Sequence, residues 1–239
     1  MFVNEETKSI QKTAKVAGWL YLLLIPLGIL GIIYVPEVVV VAGDVATTIN
    51  NIMADEALFR LSIVAALVLQ VVNIFVVLYL YKLLKPVSNA LATLMVIFIL
   101  VAVPVAMVNE LFNAAILMLL GSPDYLFTFT TVQLHALVQV LLDLHEAGIF
   151  VAHVFWGLWL FPMGYLVFKS GFLPKTLGVL LMIACVGYLL DSIIYFVFPG
   201  FGVVVSEYTF IGEVLLPLWL VTKGVKVEQW ESLPINQGI

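Results

Sequence analysis

The sequence predicts an all-α, polytopic membrane protein with six transmembrane helices and short amphipathic helices on its outer side. Three observations predict it. Of 239 residues, 64% are hydrophobic and 10% are charged, against roughly 25% charged in a soluble domain, so lipid must solvate much of the surface. Six apolar stretches are each long enough to cross about 30 Å of hydrocarbon. Extended strands would leave backbone groups unpaired there, so the stretches are helices. Finally, nine of the ten basic residues fall in alternate connections: Lys8, Lys12, Lys15; Lys82, Lys85; Lys169, Lys175; Lys223, Lys226. That is the positive-inside pattern of an even number of spans, with both termini cytoplasmic in a cell membrane. Arg60 is the exception.

The elements follow in order. Residues Met1 to Lys15 are polar. The first span, Val16–Val35, is longer than a signal-peptide core and lacks a convincing cleavage site after it, so it reads as retained. Asp44 is placed to cap a short outer helix, Val45–Met53. The second span, Ala57–Tyr81, carries Gln70 and Asn73 on one face near mid-membrane, where they are expected to hold helices together. The third is Asn89–Leu120. A helix over Thr131–Leu144 then runs into the fourth span, Leu144–Phe168. Joined, the two make about 58 Å at 1.5 Å per residue, too long for one crossing, so a bend or an interfacial segment is expected. The fifth span is Leu173–Phe198 and the sixth Glu207–Thr222. Pro26, Pro104, Pro162 and Pro217 lie inside spans and should kink them or define half-helices. The spans form one transmembrane domain, 1–230, followed by a cytoplasmic tail, 231–239. Cys185 stands alone in an apolar stretch and reads as a packing residue. The tryptophans read as packing or interface anchors.

Ionisable residues within spans are costly and point to function. Here they gather toward the outer half. Span three carries Asn109, Glu110 and Asn113. The entry to span four carries Asp143, His145 and Glu146, with His153 deeper. Span five carries Asp191, span six carries Glu213, and span two contributes Arg60. At 1.5 Å per residue, Glu110, His153, Asp191 and Glu213 fall roughly 10–15 Å below the outer face. His135, Gln139, Asp143, Glu146 and His153 form one helical stripe, and Tyr188, Asp191 and Tyr195 share a face. Pointed inward, these faces enclose an acidic cavity open to the outside. One arginine cannot neutralise five acids, so some are protonated or meet a cation. Arg60 is expected to pair with Glu110 or Asp191, and Asp191 is expected to share a site with Glu213.

Particular runs also carry a resemblance. They are Lys12-Thr13-Ala14 with Gly18-Trp19-Leu20-Tyr21, Ala42-Gly43-Asp44, Leu58-Phe59-Arg60, Leu142-Asp143-Leu144-His145, Ser170-Gly171-Phe172-Leu173-Pro174, Gly187-Tyr188-Leu189-Leu190-Asp191-Ser192, and Gly212-Glu213 before Trp219-Leu220. The chain resembles domain-of-unknown-function family 4386 over nearly its whole length. The resemblance implies a multi-span bacterial or archaeal membrane protein and supplies no activity. Arg60, Asp143, His145, Asp191 and Glu213 fall within its recurring motifs.

The leading expectation is a protein that binds a small ligand or cation for transport or sensing, through Arg60, Glu110, Asp143, Asp191 and Glu213. The alternative is a metal-dependent intramembrane hydrolase acting on a lipid or peptide. There His145, His153, Asp191 and Glu213 would hold a divalent metal such as Zn²⁺, and Glu146 would be the general base. Distant membrane hydrolases of the ceramidase and adiponectin-receptor type use intramembrane His and Asp around zinc, but their paired-histidine motif is absent here. A third expectation is a structural or assembly partner without a ligand. The net charge of −5 gives no basic surface for nucleic acid; membrane lipid is the expected surrounding.

Overall fold

The computed structural model describes residues 2–121 and 128–233. The predicted tail therefore lies outside the described residues from 234 onward. The order is α1 (Phe2–Gly28), a π-helical turn (Ile29–Tyr34), α2 (Val35–Val39), α3 (Val45–Ala54), α4 (Glu56–Leu84), α5 (Asn89–Leu120), α6 (Thr131–Lys169), α7 (Lys175–Val197), α8 (Ser206–Thr209), α9 (Ile211–Thr222) and α10 (Val227–Glu231). Among the described residues no strand occurs. Among the described residues, five helical runs are long and apolar enough to cross a membrane: Ser9–Val39, Glu56–Leu84, Asn89–Leu120, Thr131–Lys169 and Lys175–Val197. The sixth stretch differs from the single helix expected. It is divided at Phe210 into α8 and α9, and the 12 residues of α9 reach about 18 Å, short of a bilayer core.

Local chemistry explains the boundaries. Asp44 caps α3 as predicted, with Oδ1 accepting from Thr47 N at 2.9 Å and Oδ2 from the Thr47 hydroxyl at 2.7 Å. The Thr47 amide, and then its hydroxyl, hold this exposed carboxyl below the usual carboxylate range. The two segments predicted around Leu144 join into one uninterrupted helix of 39 residues. All four span prolines lie inside helices. Pro26 offers no N–H to the preceding turn, and the backbone widens into the π-turn three residues later.

Contacts divide the chain into two units. One comprises Met1–Leu23, Val72–Val103 and Phe150–Ile239; the other Leu24–Val71 and Pro104–Ile149. In the first unit, α6 and α7 touch backbone to backbone. A Cβ on Gly164 would stand 2.7 Å from the Gly178 carbonyl oxygen, the close approach that small residues allow. One end of this unit is tied by hydrogen bonds. Val225 N donates to Gln11 Oε1 at 3.3 Å, Lys226 N to the Phe172 carbonyl at 3.2 Å, and Trp230 Nε1 to the Leu83 carbonyl at 3.0 Å. The ends of α4, α6 and α9 thus lie together with the Gln11 turn of α1.

In the second unit an apolar core joins Val35 and Val39 of α2, Ile49 and Ile52 of α3, Phe59 of α4, Ile116 of α5 and Val138 of α6. The π-turn presents Gly31 to α4, where a Cβ would stand 2.8 Å from Ala66 N.

Candidate functional site

The polar residues form clusters within each unit. In the first unit, Asp191 is 1% exposed. Its Oδ1 accepts from Val205 N, and its Oδ2 accepts from Ser206 N at 3.2 Å. The carboxylate thereby satisfies amides that open α8. His153 Nδ1 lies 3.6 Å from Asp191 Oδ2, beyond hydrogen-bond distance, and is buried without a partner. Its ring is enclosed by Phe150, Trp156 and Tyr188, with centroids 5.2, 5.5 and 5.0 Å away. Ser192 Oγ donates to the Phe150 carbonyl at 2.7 Å, fastening α7 to α6 at this level.

Glu213 stands in the first turn of α9. Its Oε2 accepts from the Tyr21 hydroxyl at 3.3 Å, while Oε1 is buried without a partner. Tyr21 packs on Trp159 at 5.8 Å between centroids. The Tyr188 phenol lies against Glu213 and within electrostatic reach of Asp191, so the two acids share one tyrosine. A buried polar atom left unpaired costs about 1–3 kcal/mol. This region holds two such atoms, the acceptor Glu213 Oε1 and the ring nitrogen His153 Nδ1, whose nearest charged group is the Asp191 carboxylate.

In the second unit, α5 and α6 carry a separate set. Asn109 Nδ2 donates to the His145 carbonyl at 2.9 Å, and Asn113 Nδ2 donates to Glu110 Oε2 at 3.0 Å. His145 Nε2 lies 3.2 Å from Glu110 Oε1 and 2.9 Å from Asn113 Nδ2. Asn109 and Asn113 of α5, the latter together with Glu110, thus face His145 of α6.

Other expectations need correction. Arg60 does not pair with Glu110 or Asp191. Its Nε meets Glu56 Oε1 at 2.6 Å, and both side chains are more than half exposed. Glu56 lies one helical turn away, so the pair forms without moving either residue inward. Asp143 is exposed and accepts from Gln139 Nε2 at 2.7 Å, and Glu146 is exposed as well. That stripe of α6 does not turn inward there. The metal set of His145, His153, Asp191 and Glu213 is not assembled: among the described residues, no three His, Cys, Asp or Glu side chains gather to hold an ion. Gln70 Oε1 and Asn73 Oδ1 are buried but lack the partners expected between helices.

Sequence reasoning missed Tyr21, Trp159 and the backbone amides of Val205 and Ser206. A tyrosine hydroxyl deep in an apolar run was the available signal for Tyr21. Nothing local could assign the two amides, which lie 14 and 15 residues after Asp191.

A family model described as Domain of unknown function (DUF4386) matches residues 16–224. A protein of Archaeoglobus fulgidus, named only "Uncharacterized protein", is 35% identical over 175 residues, covering 72% of this chain and 90% of its own length. No solved structure matches. With the match running from α1 to the end of α9 and taking in both polar clusters, the chain belongs to the DUF4386 family.

Proposed function

We propose that this protein crosses the cell membrane six times, with both termini cytoplasmic, and binds a small cationic ligand in its first unit for transport or sensing. The observation that carries the reading is the unpartnered buried acceptor Glu213 Oε1, beside Tyr188, in the same unit as the buried Asp191 and His153. A ligand with N–H donors or a positive charge would satisfy Glu213 Oε1. The broken sixth stretch fits the same reading. Discontinuous helices often bound substrate sites in membrane transporters, and here Asp191 meets the start of α8 while Glu213 stands in the first turn of α9.

The six-pass topology draws support from the tied end of the first unit. After α9 the chain meets Gln11, Phe172 and Leu83, all beside lysine-bearing segments. Returning α9 to that side makes the number of crossings even and puts the lysines in the cytoplasm. Membrane lipid is then the principal surrounding, and nucleic acid is no partner.

Thermal unfolding of the purified protein in detergent, against a panel of alkali and alkaline-earth ions and small organic amines, tests the binding. At least one compound should raise Tm in the wild type and in Arg60→Leu, but not in Glu213→Gln. If no compound gives a Glu213-dependent shift, the ligand reading fails and an assembly role without ligand takes its place.

A further inference from the structure

We propose that the basic end of the first unit binds anionic phospholipids, whose headgroup phosphates dock on lysines held over aromatic rings. The inference is independent of the cation site, and it holds whichever leaflet this end faces.

Hydrogen bonds gather the lysines. Gln11, just before Lys12 on α1, accepts from Val225 N at 3.3 Å and donates to the Val225 carbonyl. Val225 lies between Lys223 and Lys226. Lys226 N in turn donates at 3.2 Å to the carbonyl of Phe172, which lies between Lys169 and Lys175. One turn further along, Trp230 Nε1 of α10 donates at 3.0 Å to the carbonyl of Leu83, between Lys82 and Lys85. Lys12, Lys15, Lys82, Lys85, Lys169, Lys175, Lys223 and Lys226 are all exposed. Among the described residues none of them forms an ion pair. With Lys8, these segments carry nine lysines against four acids, Glu5, Glu6, Glu228 and Glu231, in a chain whose net charge is −5. Positive charge is thus collected here without an equal number of acids to meet it.

Aromatic rings set the depth of four of these lysines. Lys82 Nζ lies 5.2 Å from the Tyr79 ring centroid and Lys85 Nζ 6.0 Å from that of Tyr81. Lys169 Nζ lies 5.8 Å from Tyr165 and Lys175 Nζ 5.7 Å from Phe168. At such distances the ring face attracts the ammonium. Tyrosine rings favour the headgroup level of a bilayer, so the ammoniums over them stand at the depth of lipid phosphates. Each ammonium offers three N–H donors, and a phosphodiester supplies charged acceptors. Beyond the rings, Phe75 and Leu78 of α4, Phe161 of α6 and Val179 of α7 are exposed. Acyl chains can lie on that apolar surface, whereas a soluble phosphate would gain nothing from it. This is what selects a lipid as the partner.

Native mass spectrometry tests the proposal on the full protein, released from nanodiscs holding equal parts phosphatidylglycerol and phosphatidylcholine with the same acyl chains. Phosphatidylglycerol should be enriched about fivefold or more among the lipids retained, the effect expected of even one lysine near an anionic surface. Combined Lys82→Gln, Lys85→Gln, Lys169→Gln and Lys175→Gln should remove most of that enrichment, while arginine at the same four positions should keep it. In the unmodified protein in detergent, added phosphatidylglycerol should raise Tm. The rise should shrink between about 0.1 M and about 1 M salt, as the screening length falls from about 10 Å to about 3 Å. That measurement stands even if the glutamine variant fails to fold. Equal retention of the two lipids would overturn the proposal, as would an enrichment that survives the four glutamines. A Tm rise with inorganic phosphate as large as that with phosphatidylglycerol would also overturn it, by making the partner a soluble anion.

Discussion

Gly148 and Asn109 show how one absent side chain decides a polar contact. A Cβ on Gly148 would fall on the Asn109 amide, which instead donates to the His145 carbonyl at 2.9 Å. Gly148→Ala should therefore destabilise the protein by about 1–3 kcal/mol, as overpacking does. Asn109→Ala frees the space, so the double variant should lose less than the sum of the two single losses, measured by unfolding in detergent. Arg60→Leu should behave in the opposite manner. Its partner is an exposed carboxylate one turn away, so the stability change should stay within about 0.5 kcal/mol, and additive unfolding of Arg60→Leu with Glu110→Gln checks that no buried pairing exists. Asp44 carries a pH dependence. Its folded carboxyl titrates below the unfolded one, so its cap is fully present above the ordinary carboxylate value of about 3.9 and is lost as pH falls through the lower folded value. Hydrogen exchange of α3 amides should accelerate in that acidic window for the wild type. In Asp44→Ala it should already be fast at neutral pH, with no such step.

At the scale of elements, helix positions were legible because long apolar runs and caps act locally. The Asp44 cap and the five long helices both follow from composition and neighbours in sequence. The sixth stretch was read as one helix because hydropathy registers length but not tertiary capping. Asp191 reaches the Val205 and Ser206 amides at the start of α8 from another helix, a contact that hydropathy does not register. The Ser170–Pro174 run was visible as a motif, yet its role was not. There Ser170 Oγ donates to the Val167 carbonyl at 2.8 Å and accepts from Leu173 N at 3.2 Å. Gly171 takes a φ of +73°, and the turn offers the Phe172 carbonyl to Lys226. The short α10 fastens the same end through Trp230. Trp230→Phe removes the hydrogen bond to Leu83 while keeping the ring's bulk, so it should cost about 1 kcal/mol. Limited proteolysis should then cut the segment after α9 faster than in the wild type.

For the whole molecule, lysine placement predicts the side of each connection. In a Cys185→Ser background, an impermeant thiol reagent applied outside should label a cysteine at Gly202 but not at Lys85 or Gly171; labelling the latter two alone would invert the orientation. The site was legible only in part. Asp191, Glu213, His153, Glu110 and His145 were all visible as polar groups in apolar runs. Their grouping was not, because depth along a helix says little about which neighbours a face meets. Charge alone points Arg60, Asp143 and Glu146 inward, whereas each stays exposed, Arg60 and Asp143 with a partner on their own helix. The central claim is that the first unit binds a cation at Glu213. A structure determined with a cation that raises Tm in a Glu213-dependent way tests it most directly. The account predicts the ligand within hydrogen-bond reach of Glu213 Oε1, with Tyr188 beside it. A ligand bound elsewhere, with Glu213 Oε1 still unpaired, would contradict it.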